Sequence, residues 1–194
     1  MTDTPMNPMN QAMNPTEPSN ANTSGMLRLF VYGTLKRGFW NHDRFCRGVL
    51  TVEDAVVCGC LFETPFGIPV LQVPEEDILA VGSTDPLADV ATQAHVAARM
   101  RDPEPTPDRL PENATGAPWA PVYGELLTFD DPETRLPAID RLEGFHLGGP
   151  CLYRRVLVSA QVHGTVLPAW LYVGEDPISG RLTPLGGSRW LRKP

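Results

Sequence analysis

The sequence predicts an α+β fold in which a mixed sheet curls into a small barrel flanked by short helices. Two observations carry this. Runs of strand length, rich in β-branched and aromatic residues, recur along most of the chain, while helical patterning is confined to about three stretches that do not alternate with them strand for strand. Several runs are also short and broken by glycine, which suits a curved sheet better than a flat one.

Composition sets the outer limits. A chain of 194 residues that is 42% hydrophobic is long enough for one domain with a real core. The net charge of −7 argues against a nucleic-acid partner. No apolar run reaches the roughly 18 residues that a membrane span needs, and the first residues lack the basic and apolar regions of a secretory signal. The four cysteines, Cys46, Cys58, Cys60 and Cys151, fit no zinc-ligand spacing. Reduced, mostly buried thiols in a cytoplasmic protein are the expectation. The 21 prolines cluster at the N-terminus and in one central segment, and these clusters mark boundaries.

Residues 1–25 are mainly Met, Asn, Pro, Thr and Ser and cannot bury enough surface to order themselves, so a disordered tail is expected there and a single domain from 26 to 194. The first strand is 27–32. Gly33 breaks its pattern and opens a loop that closes at Gly38. A short helix follows, with Asn41 as N-cap and Gly48 as its C-terminal glycine. Residues 55–62 read as a strand in which Gly59 marks a bulge or a close backbone approach. A turn at 64–67 leads to a short strand at 68–73, which Pro69 assigns to a sheet edge.

The segment 74–121 reads as an insertion. It holds a helix at 86–101, whose apolar set Leu87, Val90, Ala94, Ala97 and Ala98 is thin, and a proline-rich arm that no regular element tolerates. A lid, an oligomer contact and a plain surface loop are all open readings of it. A strand at 122–129 follows, then a helix to about 142 with Leu136, Ile139 and Leu142 on one face. Pro137 is expected to delay its start, and Gly144 to end it. Two strands, 152–162 and 166–173, pair across a turn at His163-Gly164. Residues 178–190 show no clear period.

The chemistry concentrates in two places. A strand running into a glycine loop ahead of a helix presents free backbone N–H groups, a place to hold an anion or a developing oxyanion. Glu143 sits at a helix C-terminus, where the macrodipole disfavours a negative charge, and Leu142 and Phe145 flank it. Both effects raise a carboxyl pKa towards the range useful for proton transfer near neutral pH. Such a glutamate is more often a solvated surface residue, and Tyr32 and Tyr153 read equally well as core aromatics. The four histidines do not pair at ligand spacing, so no metal is expected, and phosphate-loop, dinucleotide and serine-hydrolase motifs are lacking.

Together these residues carry a resemblance. Val-Tyr-Gly-Thr-Leu-Lys-Arg-Gly with Asn-His, at 31–42, resembles the γ-glutamylcyclotransferase superfamily, particularly its AIG2-like branch that includes γ-glutamylamine cyclotransferase. So do Ile-Pro-x-Leu at 68–71, Gly-Glu-Leu at 124–126, Leu-Glu-Gly at 142–144, Tyr-Arg-Arg at 153–155 and Trp-Leu-Tyr-Val at 170–173. The resemblance leaves out the tail and the central insertion. It implies a cofactor-independent, lyase-type acyl transfer that releases 5-oxoproline and a free amine from a γ-glutamyl amide. It maps the catalytic acid–base onto Glu143 and the main-chain substrate holder onto Tyr32, Gly33, Thr34 and Leu35. Tyr153 and Tyr172 become pocket residues. Arg155, on the Tyr153 side of its strand, either contacts a substrate carboxylate or covers a barrel end. For Asn41, helix capping is the preferred role over substrate contact. The partner is then a small γ-glutamyl molecule, without membrane or nucleic acid. A silent binding domain, or a γ-glutamyl transferase or hydrolase of the same superfamily, are the alternatives. The amine half of the substrate and the choice between monomer and homodimer are left open.

Overall fold

In β1 (Leu27–Val31), Leu27, Leu29 and Val31 alternate with Arg28 and Phe30, and nearly all of the strand is buried. The computed structural model describes residues 25–101, 119–148, 151–174 and 182–191. Most of the expected disordered tail, the proline-rich arm, and residues 149–150, 175–181 and 192–194 lie outside them.

The described strands are β1, β2 (Thr51–Glu63), β3 (Pro69–Gln72), β4 (Ala80–Val81), β5 (Ala120–Phe129), β6 (Tyr153–Val162), β7 (Thr165–Gly174) and β8 (Thr183–Pro184). The helices are α1 (Trp40–Phe45), α2 (Pro86–Arg101) and α3 (Pro132–Glu143), with a 3₁₀ turn at Glu75–Asp77. Strand order runs β3-β2-β5-β1-β7-β6-β4. A pairing of β2 with β6 at Val56 and Gln161 joins the sheet to itself, closing a five-stranded barrel of β2, β5, β1, β7 and β6. The pairing of β1 with β7 is parallel, so the sheet is mixed. The fold is α+β.

Alternation along the strands sends side chains to two separate cores. Phe30, Leu126, Val158, Ala160 and Leu171 fill the barrel. Leu29, Leu127, Leu157 and Trp170 face the other way and pack with Val90 of α2 and with Leu136 and Ile139 of α3. Strands buried on both faces read as near-continuous apolar runs, as 167–173 does.

Several local features explain themselves. His163 and Gly164 both have positive φ, 48° and 81°, the backbone of the two-residue turn that matches strand twist between β6 and β7. A Cβ on Gly59 would lie 2.7 Å from the Gln72 carbonyl, so the glycine marks a close approach of β3. Pro69 lies on β3, at the end of the strand order.

Other expectations change. Helix α1 begins at Trp40, so Asn41 lies inside it and the N-cap position falls to Phe39. Helix α3 begins at Pro132 and takes Pro137 into its interior. Strands β4 and β8, two residues each, have too little pattern to be seen in sequence. Of the cysteines only Cys46 is buried, and Cys58 is exposed.

Helix α2 looked weakly amphipathic because its buried face is half polar: Asp89, Val90, Gln93 and Ala97. The Arg28 N–H donates to Gln93 Oε1 (3.0 Å), and Gln93 Nε2 donates to the Met26 carbonyl (2.8 Å). One buried amide thus satisfies both kinds of backbone group at the start of β1, as a neighbouring strand would.

Candidate active site

Beyond Val31 the chain leaves the sheet in two successive tight turns. The Lys36 N–H donates to the Gly33 carbonyl and the Phe39 N–H to the Lys36 carbonyl, each at 3.2 Å. Side chains from α1 then brace the loop. Asn41 Nδ2 donates to Thr34 Oγ1 (2.8 Å), and His42 Nδ1 donates to the Leu35 carbonyl (2.8 Å). On the other side a Cβ at Gly33 would sit 3.0 Å from Pro69 Cγ, so only a glycine lets the loop lie this close to β3 without displacing it. The backbone N–H groups of Gly33, Thr34 and Leu35 donate to no acceptor among the described residues.

Glu143 reaches the same place from α3. Gly144 takes the left-handed conformation (φ 66°) that ends the helix, and its N–H closes back on the Asp140 carbonyl. Loop and helix end meet around a small pocket. Tyr32, Gly33, Thr34, Leu35, Glu143, Tyr153 and Tyr172 all line it, together with Ile68, Pro69 and the end of β1.

No hydrogen-bond donor among the described residues reaches the Glu143 carboxyl. Burial, and then the negative charge of Asp140 one turn earlier, push its pKa up to about 7. A carboxyl in that range takes and returns protons near neutrality.

The three tyrosines hold the pocket's shape. Tyr32 donates its hydroxyl to the Tyr172 carbonyl (2.8 Å) and accepts from the Leu71 N–H (3.2 Å). Tyr153 donates to the Pro69 carbonyl (3.3 Å) and Tyr172 to Asp140 Oδ1 (2.6 Å). Burial raises all three phenols above their ordinary range, so they stay protonated.

Arg155 does not join them. It is 1% exposed and lies outside the pocket. Its guanidinium donates to Asp89 of α2, to Asp140 of α3 and, at 2.8 Å, to the Ser83 carbonyl, and it sits over the Phe145 ring. Of its two sequence readings, contact with a substrate carboxylate or cover for a barrel end, the structure shows neither directly, and its carboxylate partners are two of the protein's own. This cluster was missed in the sequence, although Asp140, three residues before Glu143, carried a helical-spacing signal. Burial raises the Asp140 carboxyl, against the hydrogen bonds from Tyr172 and Arg155.

The family model for γ-glutamyl cyclotransferase, AIG2-like, matches residues 29–89 and 89–192. The chain belongs to this family. Among solved structures, the γ-glutamyl cyclotransferase-like chain is similar to YkqA from Bacillus subtilis at 20% identity and a TM-score of 0.47, over 85% of this chain and 39% of that one. It is also similar to an AIG2-like protein from Mus musculus at 18% identity and a TM-score of 0.41, over 87% of this chain and 97% of that one. The chain therefore spans well under half the length of YkqA. No curated protein matches it. No helix among the described residues is long and apolar enough to cross a membrane.

Proposed function

We propose that this member of the family is a cofactor-independent γ-glutamyl cyclotransferase that converts a γ-glutamyl amide into 5-oxoproline and a free amine. The observation that carries this reading is a carboxyl with a pKa near 7 that shares one small pocket with three backbone N–H groups, none of them hydrogen-bonded among the described residues.

Each part has a task. The substrate's α-ammonium must lose a proton before its nitrogen attacks the γ-carbonyl, and Glu143 is the base. Attack forms a five-membered ring, so both reactants arrive on one molecule and the site has only to hold the attacking rotamer. The carbonyl oxygen becomes an oxyanion, for which the N–H groups of Gly33, Thr34 and Leu35 are preorganised donors. The C–N bond to the amine then breaks as Glu143 returns its proton to the departing nitrogen. The second proton shed by the ring nitrogen leaves with the amine as ammonium, so no water is consumed and no net proton is gained. One carboxyl serves as base and then acid, a role worth about 10²–10⁴-fold in rate.

Incubation with γ-glutamyl amides, scored for 5-oxoproline, tests the reading, with Glu143→Gln as control. Release of 5-oxoproline by the wild type and its loss in a folded variant that still binds the amide support it. Product from the folded variant, or glutamate in place of 5-oxoproline, overturns it.

A further inference from the structure

Lys36 stands in the Gly33 loop but does not line the pocket. Its backbone belongs to both tight turns: its N–H closes the first on the Gly33 carbonyl, and its carbonyl closes the second on the Phe39 N–H. The residue is 7% exposed, an unusual place for a lysine. Its ammonium donates to the Trp190 carbonyl at 2.9 Å, across 154 residues of chain. It also lies over the rings of Phe39 (5.3 Å) and Trp190 (5.9 Å), whose centroids are 5.1 Å apart. Trp190 is itself held. The segment 182–191 is laid along the barrel: Thr183 and Pro184 pair with β2, and the Leu185 N–H donates to the Leu61 carbonyl (2.9 Å). The Tyr123 N–H of β5 donates to the Ser188 carbonyl (2.7 Å), and the Trp190 indole to Glu63 (3.4 Å). Trp190 packs into the barrel core.

Burying an ammonium against a neutral carbonyl is costly, and an apolar side chain of similar length would fill the space without that cost. Burial, and then the neighbouring charge of Arg189, lower the Lys36 pKa against the pull of Glu125. We infer, on the footing of the cyclotransferase reading, that Lys36 and Trp190 are positioning residues, whose contact fixes the Gly33 loop to the barrel and aims the N–H groups of Gly33, Thr34 and Leu35 at the oxyanion. The braces from Asn41 and His42 each span seven residues and bind the loop only to the helix that follows it. The Lys36 anchor, with the Arg37 N–H on Glu125 of β5 (2.8 Å), binds it to distant elements. From Lys36 the restraint reaches the Gly33 carbonyl through a single hydrogen bond. A misplacement of about 1 Å at such donors costs about 10²-fold in rate.

The test measures kcat and KM for 5-oxoproline release in Lys36→Met, Trp190→Leu and the double variant, with kcat normalised to the folded fraction. The substrate is whichever γ-glutamyl amide the wild type uses best among those of methylamine, alanine and the lysine ε-amine. Methionine keeps the bulk of the lysine stem and drops the charge. Lys36→Met is expected to lower kcat by about tenfold to hundredfold and to leave KM within about threefold, the pattern of an interaction used in the transition state. A merely structural role would lower the melting temperature and leave the kcat of folded protein alone. Trp190→Leu is expected to lower kcat similarly, and the double variant to lose no more than the worse single variant, since both break one contact. Unchanged kcat in folded Lys36→Met, a loss confined to KM, or losses that multiply in the double variant overturn the inference while leaving the cyclotransferase reading intact. If Lys36→Met does not fold, Trp190→Leu decides by the same margins. No 5-oxoproline from any of the amides with the wild type overturns that reading and the inference with it.

Discussion

The buried cluster behind the pocket and the pocket itself use acids from the same helix in opposite ways. Asp140 accepts hydrogen bonds from both Arg155 and Tyr172. Glu143, one turn later, accepts none among the described residues. Burial raises both carboxyls, but only Glu143 faces the pocket, where no donor among the described residues is bonded to it. The difference separates two uses of a buried acid. A paired carboxylate fixes the position of the elements around it, whereas an unpaired one keeps its proton available.

Replacing the unpaired acid has the largest effect. Glu143→Gln is expected to lower kcat by about 10²–10⁴-fold, measured as 5-oxoproline release. The same variant should be more stable than the wild type at alkaline pH. Glu143 binds its proton more tightly folded, near 7, than unfolded, near 4.5, so folding takes up a proton between those values. Wild-type stability therefore falls as pH rises through that window, and the loss is complete above about 7. Glutamine is spared it, and denaturant titration at pH 8 should show a gain of up to about 3 kcal/mol.

Arg155→Met attacks the paired side. It leaves Asp89 and Asp140 buried without their cation and is expected to destabilise the fold by about 3–5 kcal/mol in urea titrations. Residual activity of the folded fraction should keep its pH optimum less well than its KM, because Asp140 sits between Arg155 and Glu143.

Asp140→Asn connects the two sides. Removing its charge removes the second cause of the raised Glu143 pKa, so the acid limb of the kcat/KM profile should move to lower pH. An unmoved limb would mean that burial alone sets the value. Gly33→Ala should have the smallest effect. Pro69 must yield by a few tenths of an ångström, which displaces the N–H donors slightly, and a loss of kcat/KM of about tenfold or less is expected.

What the sequence revealed follows the range of the interactions involved. The loop at Gly33 and the helix end at Gly144 are local: a glycine, its neighbours and a change of period are enough to read them. The prediction that Tyr32, Gly33, Thr34, Leu35, Tyr153 and Tyr172 gather near Glu143 came from family resemblance, and the pocket brings all of them together. Arg155 read equally as a ligand contact or as cover for a barrel end, because strand alternation gives its side but not what covers that side. Asp89 and Gln93 were invisible for the same reason. On a helix, polar residues at buried positions count against burial unless their partners are known, and those partners stand 66 and 65 residues away in the chain. Asn41 was misread because two roles, capping a helix and bracing Thr34, ask for the same side chain.

The Tyr32 hydroxyl meets the Tyr172 carbonyl across 140 residues of chain, and Tyr172 in turn meets Asp140. These contacts tie the first strand, the last long strand and the helix that carries Glu143 into one knot at the pocket floor. Contacts so distant in sequence form late, after the loops between them have closed. In a refolding experiment, recovery of 5-oxoproline release should thus lag behind recovery of strand signal in circular dichroism. Catalysis would report on completion of the barrel rather than on the appearance of its parts.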